Sequence, residues 1–86
     1  MNTWEVVILQ IIAANNGTAS LKHVYAELPR HVRLTDKHYE ITYKVPAYHH
    51  QTRAHVDDLL DKGELSRVKR GVYSITSRGR SRIGAN

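Results

Sequence analysis

The first thirty residues place apolar side chains with the period of an α-helix, and this pattern predicts two helices. Thr3 is the predicted N-cap of the first helix, which ends at Asn15-Asn16-Gly17 because Asn and Gly tolerate a left-handed backbone. Ser20 is the predicted N-cap of the second helix, and Pro29 is predicted to stop it because proline has no N–H. The apolar stripe of the first helix consists of Trp4, Val7, Ile8, Ile11 and Ile12.

A third helix is predicted over residues 46–62, with Pro46 in its first turn and Gly63 ending it. Val56 and Leu59, together with Leu60, define its buried face. Residues 30–46 carry a weaker pattern, in which one helical turn is predicted near residues 36–40.

After Gly63 the apolar period shortens to that of a β-strand. Leu65–Lys69 and Val72–Thr76 are predicted strands, joined at Arg70-Gly71 by a tight turn that needs glycine. Thr76 is the predicted N-cap of a short last helix, which returns Ile83 to the core. The predicted fold class is α+β, a single domain over residues 1–86. Three helices followed by a two-stranded wing and a short helix is the order of a winged helix-turn-helix.

Composition excludes several kinds of chemistry. The 86 residues contain no cysteine, so disulfides, thiolate metal ligands and a cysteine nucleophile are all excluded. Such a short chain buries only about two-thirds of its surface, which leaves little room for a deep catalytic cleft. No membrane span or export signal is recognised, and the cytoplasm is the predicted location.

The positive charge is concentrated at one end of the chain. Residues 1–63 hold seven basic and seven acidic residues, whereas residues 64–86 hold six basic residues and Glu64, which gives the whole net charge of +5. A basic segment on a small domain predicts a polyanionic partner, and the alternative is a solvated basic tail.

Six histidines and a cluster of acids raise the possibility of a metal site or a catalytic site. His49, His50 and His55 share the third helix, but no pair of them has the i, i+4 spacing of a helical zinc site. No glycine-rich phosphate loop or HExxH pattern occurs. The predictions are therefore no enzyme activity, no cofactor, no metal and no small-molecule substrate.

The segment "RAHVDDLLDKGELSRVKRGVYSIT" resembles the recognition helix and wing of winged-helix domains in prokaryotic regulators. It is also similar to the winged-helix domains of restriction endonucleases, both the Mrr type and those directed at modified DNA. The resemblance implies binding of double-stranded DNA near the nucleoid, as a homodimer or with a fused or associated nuclease. The resemblance also raises the hypothesis that the domain reads a modified base. The candidate residues to line a pocket for that base are Tyr43, Val45 and Tyr48.

Charge decides which part of the third helix would enter a groove. Asp57, Asp58 and Asp61 would repel phosphates, so the helix is expected to enter by its N-terminal half. The predicted contacts of this helix are Tyr48, His49, His50, Gln51, Arg53 and Ala54. The predicted contacts of the wing and tail are Arg67, Lys69, Arg70, Arg78 and Arg80. Arg53 is the predicted specific reader, unless it pairs with Asp57 at i+4.

The main alternative is a winged helix that binds another protein and not DNA. Trp4, Val6 and Leu9 would support this alternative if they formed an exposed apolar patch on the first helix. RNA binding is a third hypothesis, although the chain has no phenylalanine and its tyrosines are scattered.

Overall fold

The computed structural model describes residues 3–84, which form a small α+β domain. The predicted α+β class is therefore confirmed. A three-stranded antiparallel sheet has the order β1-β5-β4, and a separate two-stranded hairpin joins β2 to β3. The elements within residues 3–84 are α1 (Thr3–Ala14), β1 (Thr18–Ser20), α2 (Leu21–His31), α3 (Asp36–Tyr39), β2 (Ile41–Thr42), β3 (Val45–Pro46), α4 (Ala47–Asp61), β4 (Leu65–Lys69), β5 (Val72–Ile75) and α5 (Ser77–Arg82).

Helix α1 is the centre of the core. The helix includes Thr3, which the sequence predicted as its N-cap, and it packs against α2, α4, α5 and β5. A helix that is apolar on nearly all sides is buried, and the sequence "VVILQII" meets this condition over Val6–Ile12. The buried apolar residues of the domain are Val7, Ile8, Leu9, Ile11, Ile12, Ala19, Val24, Leu28, Tyr48, Val56, Leu59, Leu65, Tyr73 and Ile75. No helix within residues 3–84 is long and apolar enough to cross a membrane.

Helix α2 begins as predicted but continues past Pro29 to His31, so the predicted stop at Pro29 is wrong. Ser20 caps the helix by accepting a hydrogen bond from the backbone N–H of His23. Pro29 cannot donate to the carbonyl of Tyr25, four residues earlier. The Tyr48 hydroxyl donates to that carbonyl instead, at 3.1 Å. A side chain of α4 thus satisfies the acceptor that Pro29 leaves open, and the helix does not need to end there.

This replacement predicts that Tyr48→Phe lowers the free energy of unfolding by about 1 kcal/mol, since the Tyr25 carbonyl loses its donor. The loss should be smaller when the chain also carries Pro29→Ala, because an N–H at position 29 can then donate to the same carbonyl. Urea unfolding of the four chains of this double-mutant cycle measures the coupling. Tyr39→Phe is the control for loss of an exposed hydroxyl. Equal losses in both backgrounds would contradict the assignment.

The segment between α2 and α4 is more ordered than its sequence suggests. The predicted turn near residues 36–40 is confirmed as α3, with Thr35 as its cap. The backbone N–H of Thr35 donates to Nδ1 of His38, so a histidine takes the place that glutamate usually occupies in a capping box. The β2–β3 hairpin that follows was not predicted. Its strands pair Ile41 with Pro46, and it leads directly into α4.

The third predicted helix and the predicted β-hairpin after it are confirmed with small changes. Pro46 is the N-cap of α4 and not a residue of its first turn. At the other end, the N–H groups of Gly63 and Glu64 donate to the carbonyls of Leu60 and Leu59, which is a Schellman motif with Gly63 at φ +74°. Strands β4 and β5 then form the predicted hairpin, and the unpredicted β1 pairs with β5.

The last helix forms as predicted. The Thr76 hydroxyl accepts from the N–H of Gly79 and donates to the carbonyl of Gly63, so one side chain both caps α5 and holds it to the end of α4. Ile83 packs against the core after the last turn. Helix α5 thus covers the end of the domain formed by the first turn of α1 and the last turn of α4.

Candidate nucleic-acid interface

The N-terminal half of α4 presents a polar outer face. His50, Gln51, Arg53 and Ala54 are all exposed, because Thr52 and Val56 turn the opposite side of the helix into the core. His50 is fixed by a 2.7 Å hydrogen bond from Nε2 to the carbonyl of Thr42 in the neighbouring hairpin. Its Nδ1 is therefore the ring nitrogen available to an external group.

Two residues predicted on this surface lie elsewhere. Tyr48 is a core residue that is only 8% exposed, and its hydroxyl donates a hydrogen bond to the carbonyl of Tyr25. Its side chain is therefore not available for the predicted DNA contact. His49 is half-buried and stacks on the Tyr25 ring, with centroids 3.9 Å apart. Burial lowers the pKa of His49, and neighbouring His50 lowers it further, so His49 is disfavoured as a phosphate-binding cation. Both side chains pack the helix against α2.

The β4–β5 hairpin carries the basic side chains that the sequence predicts for a wing. Arg67, Lys69 and Arg70 are exposed on β4 and its turn, and a bulge between Arg67 and Lys69 turns Val68 outward as well. The turn is held against α2 by a 2.8 Å hydrogen bond from the N–H of Leu21 to the carbonyl of Gly71. This contact places the start of α2 next to the turn, a placement that the sequence does not indicate because β1 lacks a recognisable strand pattern.

The basic residues of α5 point in different directions. Arg78 lies beside Gly63, which is about 20 Å along α4 from His50 at 1.5 Å per residue. Arg80 lies against Gly17, with its Nη2 atom 2.7 Å from the place that a Cβ would occupy. The sequence predicts Arg78 and Arg80 as phosphate contacts of the wing and tail, but the two side chains do not line one side of a tail.

A buried ion-pair cluster accounts for two other cations. Glu5 is only 2% exposed, and it accepts hydrogen bonds from Nζ of Lys62 at 3.0 Å and from Nη1 of Arg82 at 3.1 Å. His55 donates to the second carboxylate oxygen at 3.2 Å, and Arg82 also pairs with Glu64. Burial would raise the pKa of Glu5, but the hydrogen bonds outweigh it and lower the pKa from 4.5 to about 2. These charges stabilise the fold.

The acids of α4 are divided between two roles. Asp57 and Asp61 are exposed on the outer face of the C-terminal half, as the sequence predicts. Asp58 is turned to one side, where it pairs with Lys62 at 2.9 Å. Within residues 3–84, no ion pair joins Arg53 to Asp57, so the alternative role suggested for Arg53 is not realised. The arginine side chain is left exposed beside the polar outer face.

Within residues 3–84, the exposed large apolar side chains lie on α3, on the β2–β3 hairpin and on β4, and none lies on α1. Leu9 is fully buried, and Trp4 packs against the core and contacts the rings of His38 and His55, so the exposed apolar patch that would support the protein-binding alternative does not form on α1. Tyr43, at the tip of the β2–β3 hairpin, is 89% exposed. Sequence reasoning missed this tip, although apolar residues alternate in "ITYKV" as they do in strands.

The candidate lining residues for a modified base do not form one pocket. Tyr48 is in the core, whereas Tyr43 projects from the hairpin tip. A cleft of about 320 Å³ lies between α1 and α2, where His23, Glu27 and His31 line one side. Within residues 3–84, no three His, Asp or Glu side chains are placed to hold a metal ion.

No protein-family model, curated protein or solved structure matches this chain.

Proposed function

We propose that this domain is a winged helix-turn-helix that binds double-stranded DNA, with α4 in the major groove and the β4–β5 wing on the backbone. The order of elements supports the fold: α4 is followed at once by the β4–β5 hairpin, and β1 completes its sheet. In such folds the helix before the wing is the recognition helix. The domain would act as a small prokaryotic regulator, or as the recognition module of a restriction system with a fused or associated nuclease.

One observation carries the proposal: the cations exposed on the outer face of α4 and on the β4–β5 hairpin make no ion pair within residues 3–84. Of the thirteen Lys and Arg residues, three form ion pairs within residues 3–84: Arg30, Lys62 and Arg82. Arg53, Lys69 and Arg70 are exposed and make no ion pair in that part of the chain. Cations that are not held in ion pairs are available to neutralise DNA phosphates.

In this proposal, the exposed side chains of Gln51, Arg53, Ala54, Asp57 and Asp61 on α4 each have a role. Arg53 has the fork of donors that matches O6 and N7 of guanine, and Gln51 can bond N6 and N7 of adenine. Ala54 offers a methyl contact to thymine. Asp57 and Asp61 repel phosphates, so the C-terminal half of the helix stays at the rim of the groove. The wing residues bind phosphates and set the position of the domain without reading sequence.

The test is a salt series with a random 20-base-pair duplex, in unmodified, cytosine-modified and adenine-methylated forms. Affinity should fall steeply as salt rises, and the double variant Arg67→Ala/Arg70→Ala should reduce the slope of log K against log salt by about 2, one unit for each lost phosphate contact. The control is Arg30→Ala/Arg33→Ala, which removes the same charge from two exposed arginines at the end of α2 and the loop after it. This variant should keep the slope.

The possible outcomes separate the hypotheses. Absence of binding at low salt would reject the DNA proposal and favour a winged helix that binds protein. A preference for one modified duplex would favour a restriction-system module over a plain regulator. Equal slopes for the wing variant and its control would show that the wing does not contact the backbone.

A further inference from the structure

The tip of the β2–β3 hairpin has a costly backbone conformation. Tyr43 and Lys44 both have positive φ, 52° and 74°, a conformation that turns of this shape normally assign to Asn and Gly. A residue with a side chain costs about 1 kcal/mol or more in this region. Packing in the core does not offset this free-energy cost for Tyr43, because its side chain is 89% exposed. Two long side chains are thus held outward at a position where smaller residues would stabilise the fold better.

Helix α4 holds this tip in a fixed position. Nε2 of His50 donates to the carbonyl of Thr42, and the ring of His50 meets the ring of Tyr43 edge-on with centroids 6.1 Å apart. The N–H of Ala47 donates to the carbonyl of Glu40 at 2.8 Å, which closes the base of the hairpin onto the start of the helix. Tyr43 therefore lies next to the first turns of α4, beside the residues assigned to the groove.

The charges around the tip match a polyanion. Residues 41–54 contain no Asp or Glu, and their charged residues are Lys44 and Arg53. Lys44 is exposed and makes no ion pair within the described part of the chain. An aromatic ring, a lysine and an imidazole next to one another suit a base and the phosphate beside it, since every base offers a face to an aromatic ring.

We propose that this hairpin tip is a third DNA contact, in which Tyr43 packs on a base beside the site read by α4 and Lys44 binds the adjacent phosphate. The inference rests on the proposed function and adds a contact outside the recognition helix and the wing. Aromatic contact with a base requires that base to loosen from its stack, as happens where apolar side chains enter a base step. Tyr43 would therefore extend the recognised sequence beyond the bases facing α4.

The experiment compares the affinities and salt slopes of the full chain and four variants for one duplex, selected for tightest binding to the full chain. Tyr43→Ala should weaken binding about 10-fold with the slope unchanged, since one base contact of this kind contributes about 1–3 kcal/mol. Tyr43→Phe should keep the affinity, because the contact uses the ring. Lys44→Ala should lower the slope by about 1. Ile41→Ala removes an exposed apolar side chain from the same hairpin and should change neither quantity.

A second readout locates the base. In duplexes that carry 2-aminopurine at successive positions, the fluorescence of this base should increase at one position when the full chain binds. Tyr43→Ala should abolish that increase. If the full chain binds DNA and Tyr43→Ala binds equally well, the tip contact is refuted and the proposed function stands. If Tyr43→Ala instead abolishes self-association in sedimentation without weakening DNA binding, the tip is a protein contact and the inference is also refuted. If the full chain does not bind DNA, the proposed function itself fails.

Discussion

Glu5→Gln should lower the free energy of unfolding by about 3 kcal/mol, the range expected when one member of a buried ion pair is removed. Glutamine has nearly the same volume, so packing is conserved and the change isolates the charge. The carboxylate of Glu5 accepts from Lys62, His55 and Arg82, and it thereby joins α1 to α4 and α5. Without its negative charge, the buried donors of Arg82 lose one of their two acidic partners.

The same cluster predicts how stability depends on pH. The pKa of Glu5 is lowered from 4.5 to about 2 in the folded chain, so the unfolded chain binds the proton more readily between these values. The stabilisation by Glu5 is therefore fully present above about pH 4.5, and it is lost as the pH falls towards 2. Its size is about 3 kcal/mol, since each pKa unit corresponds to about 1.4 kcal/mol.

Urea unfolding of the wild-type and Glu5→Gln chains at pH 7, 4.5 and 2.5 tests both statements. The difference between the two chains should be largest at pH 7 and shrink towards pH 2.5. Asp58→Asn is the matched control, because Asp58 pairs with the same Lys62 but both side chains are nearly half exposed, and an exposed pair contributes less than about 1 kcal/mol. Equal losses for the two substitutions would show that burial of Glu5 does not matter.

Sequence reasoning located α2 and α4 because a periodic apolar pattern coincided with a capping residue, Ser20 at the start of α2 and Gly63 at the end of α4. Helix α5 has no apolar pattern of its own, and it was located from the cap at Thr76 alone. The three residues of β1 are too few for alternation to be recognised, so only the pairing with β5 reveals the strand. The β2–β3 hairpin was not predicted for a different reason. Its turn is formed by Tyr43 and Lys44, whereas turns with positive φ at both central residues normally contain Asn and Gly.

Burial explains what could be predicted about the site. Side chains on the outer face of α4 were placed correctly, because the helical period fixes the direction opposite Thr52 and Val56. Tyr48 was predicted to contact DNA because a tyrosine hydroxyl is polar. The structure buries it because the hydroxyl donates to the carbonyl of Tyr25, which lacks a backbone donor since residue 29 is proline. Glu5 could have been recognised as buried. It shares a helix face with Ile8 and Ile12, and it is the only charged residue of a helix that is otherwise nearly all apolar.

The second large effect concerns the close packing of α5 on the end of α4. Gly79→Ala should destabilise the domain by about 2 kcal/mol, although alanine in place of glycine inside a helix normally stabilises by about 1 kcal/mol. The sign reverses because a Cβ at this position would overlap the carbonyl oxygen of Glu64 and lie 2.8 Å from Cγ1 of Ile75. That carbonyl cannot move aside cheaply, since it accepts from the N–H of Thr76 at 3.1 Å.

Thermal unfolding measures this effect, and about 2 kcal/mol corresponds to roughly 8–16 °C in the midpoint for a domain of this size. Ser81→Ala is the control within the same helix, because Ser81 is exposed and its substitution should change stability by less than about 0.5 kcal/mol. An increase in the midpoint for Gly79→Ala would mean that α5 does not pack as closely on the Glu64 carbonyl as the structure shows. A decrease confined to Gly79→Ala would support the requirement for glycine at this position, where α5 contacts the backbone carbonyl of Glu64. The packing of α5 against the domain would then depend on Gly79, and this helix also positions Arg82 to pair with Glu5.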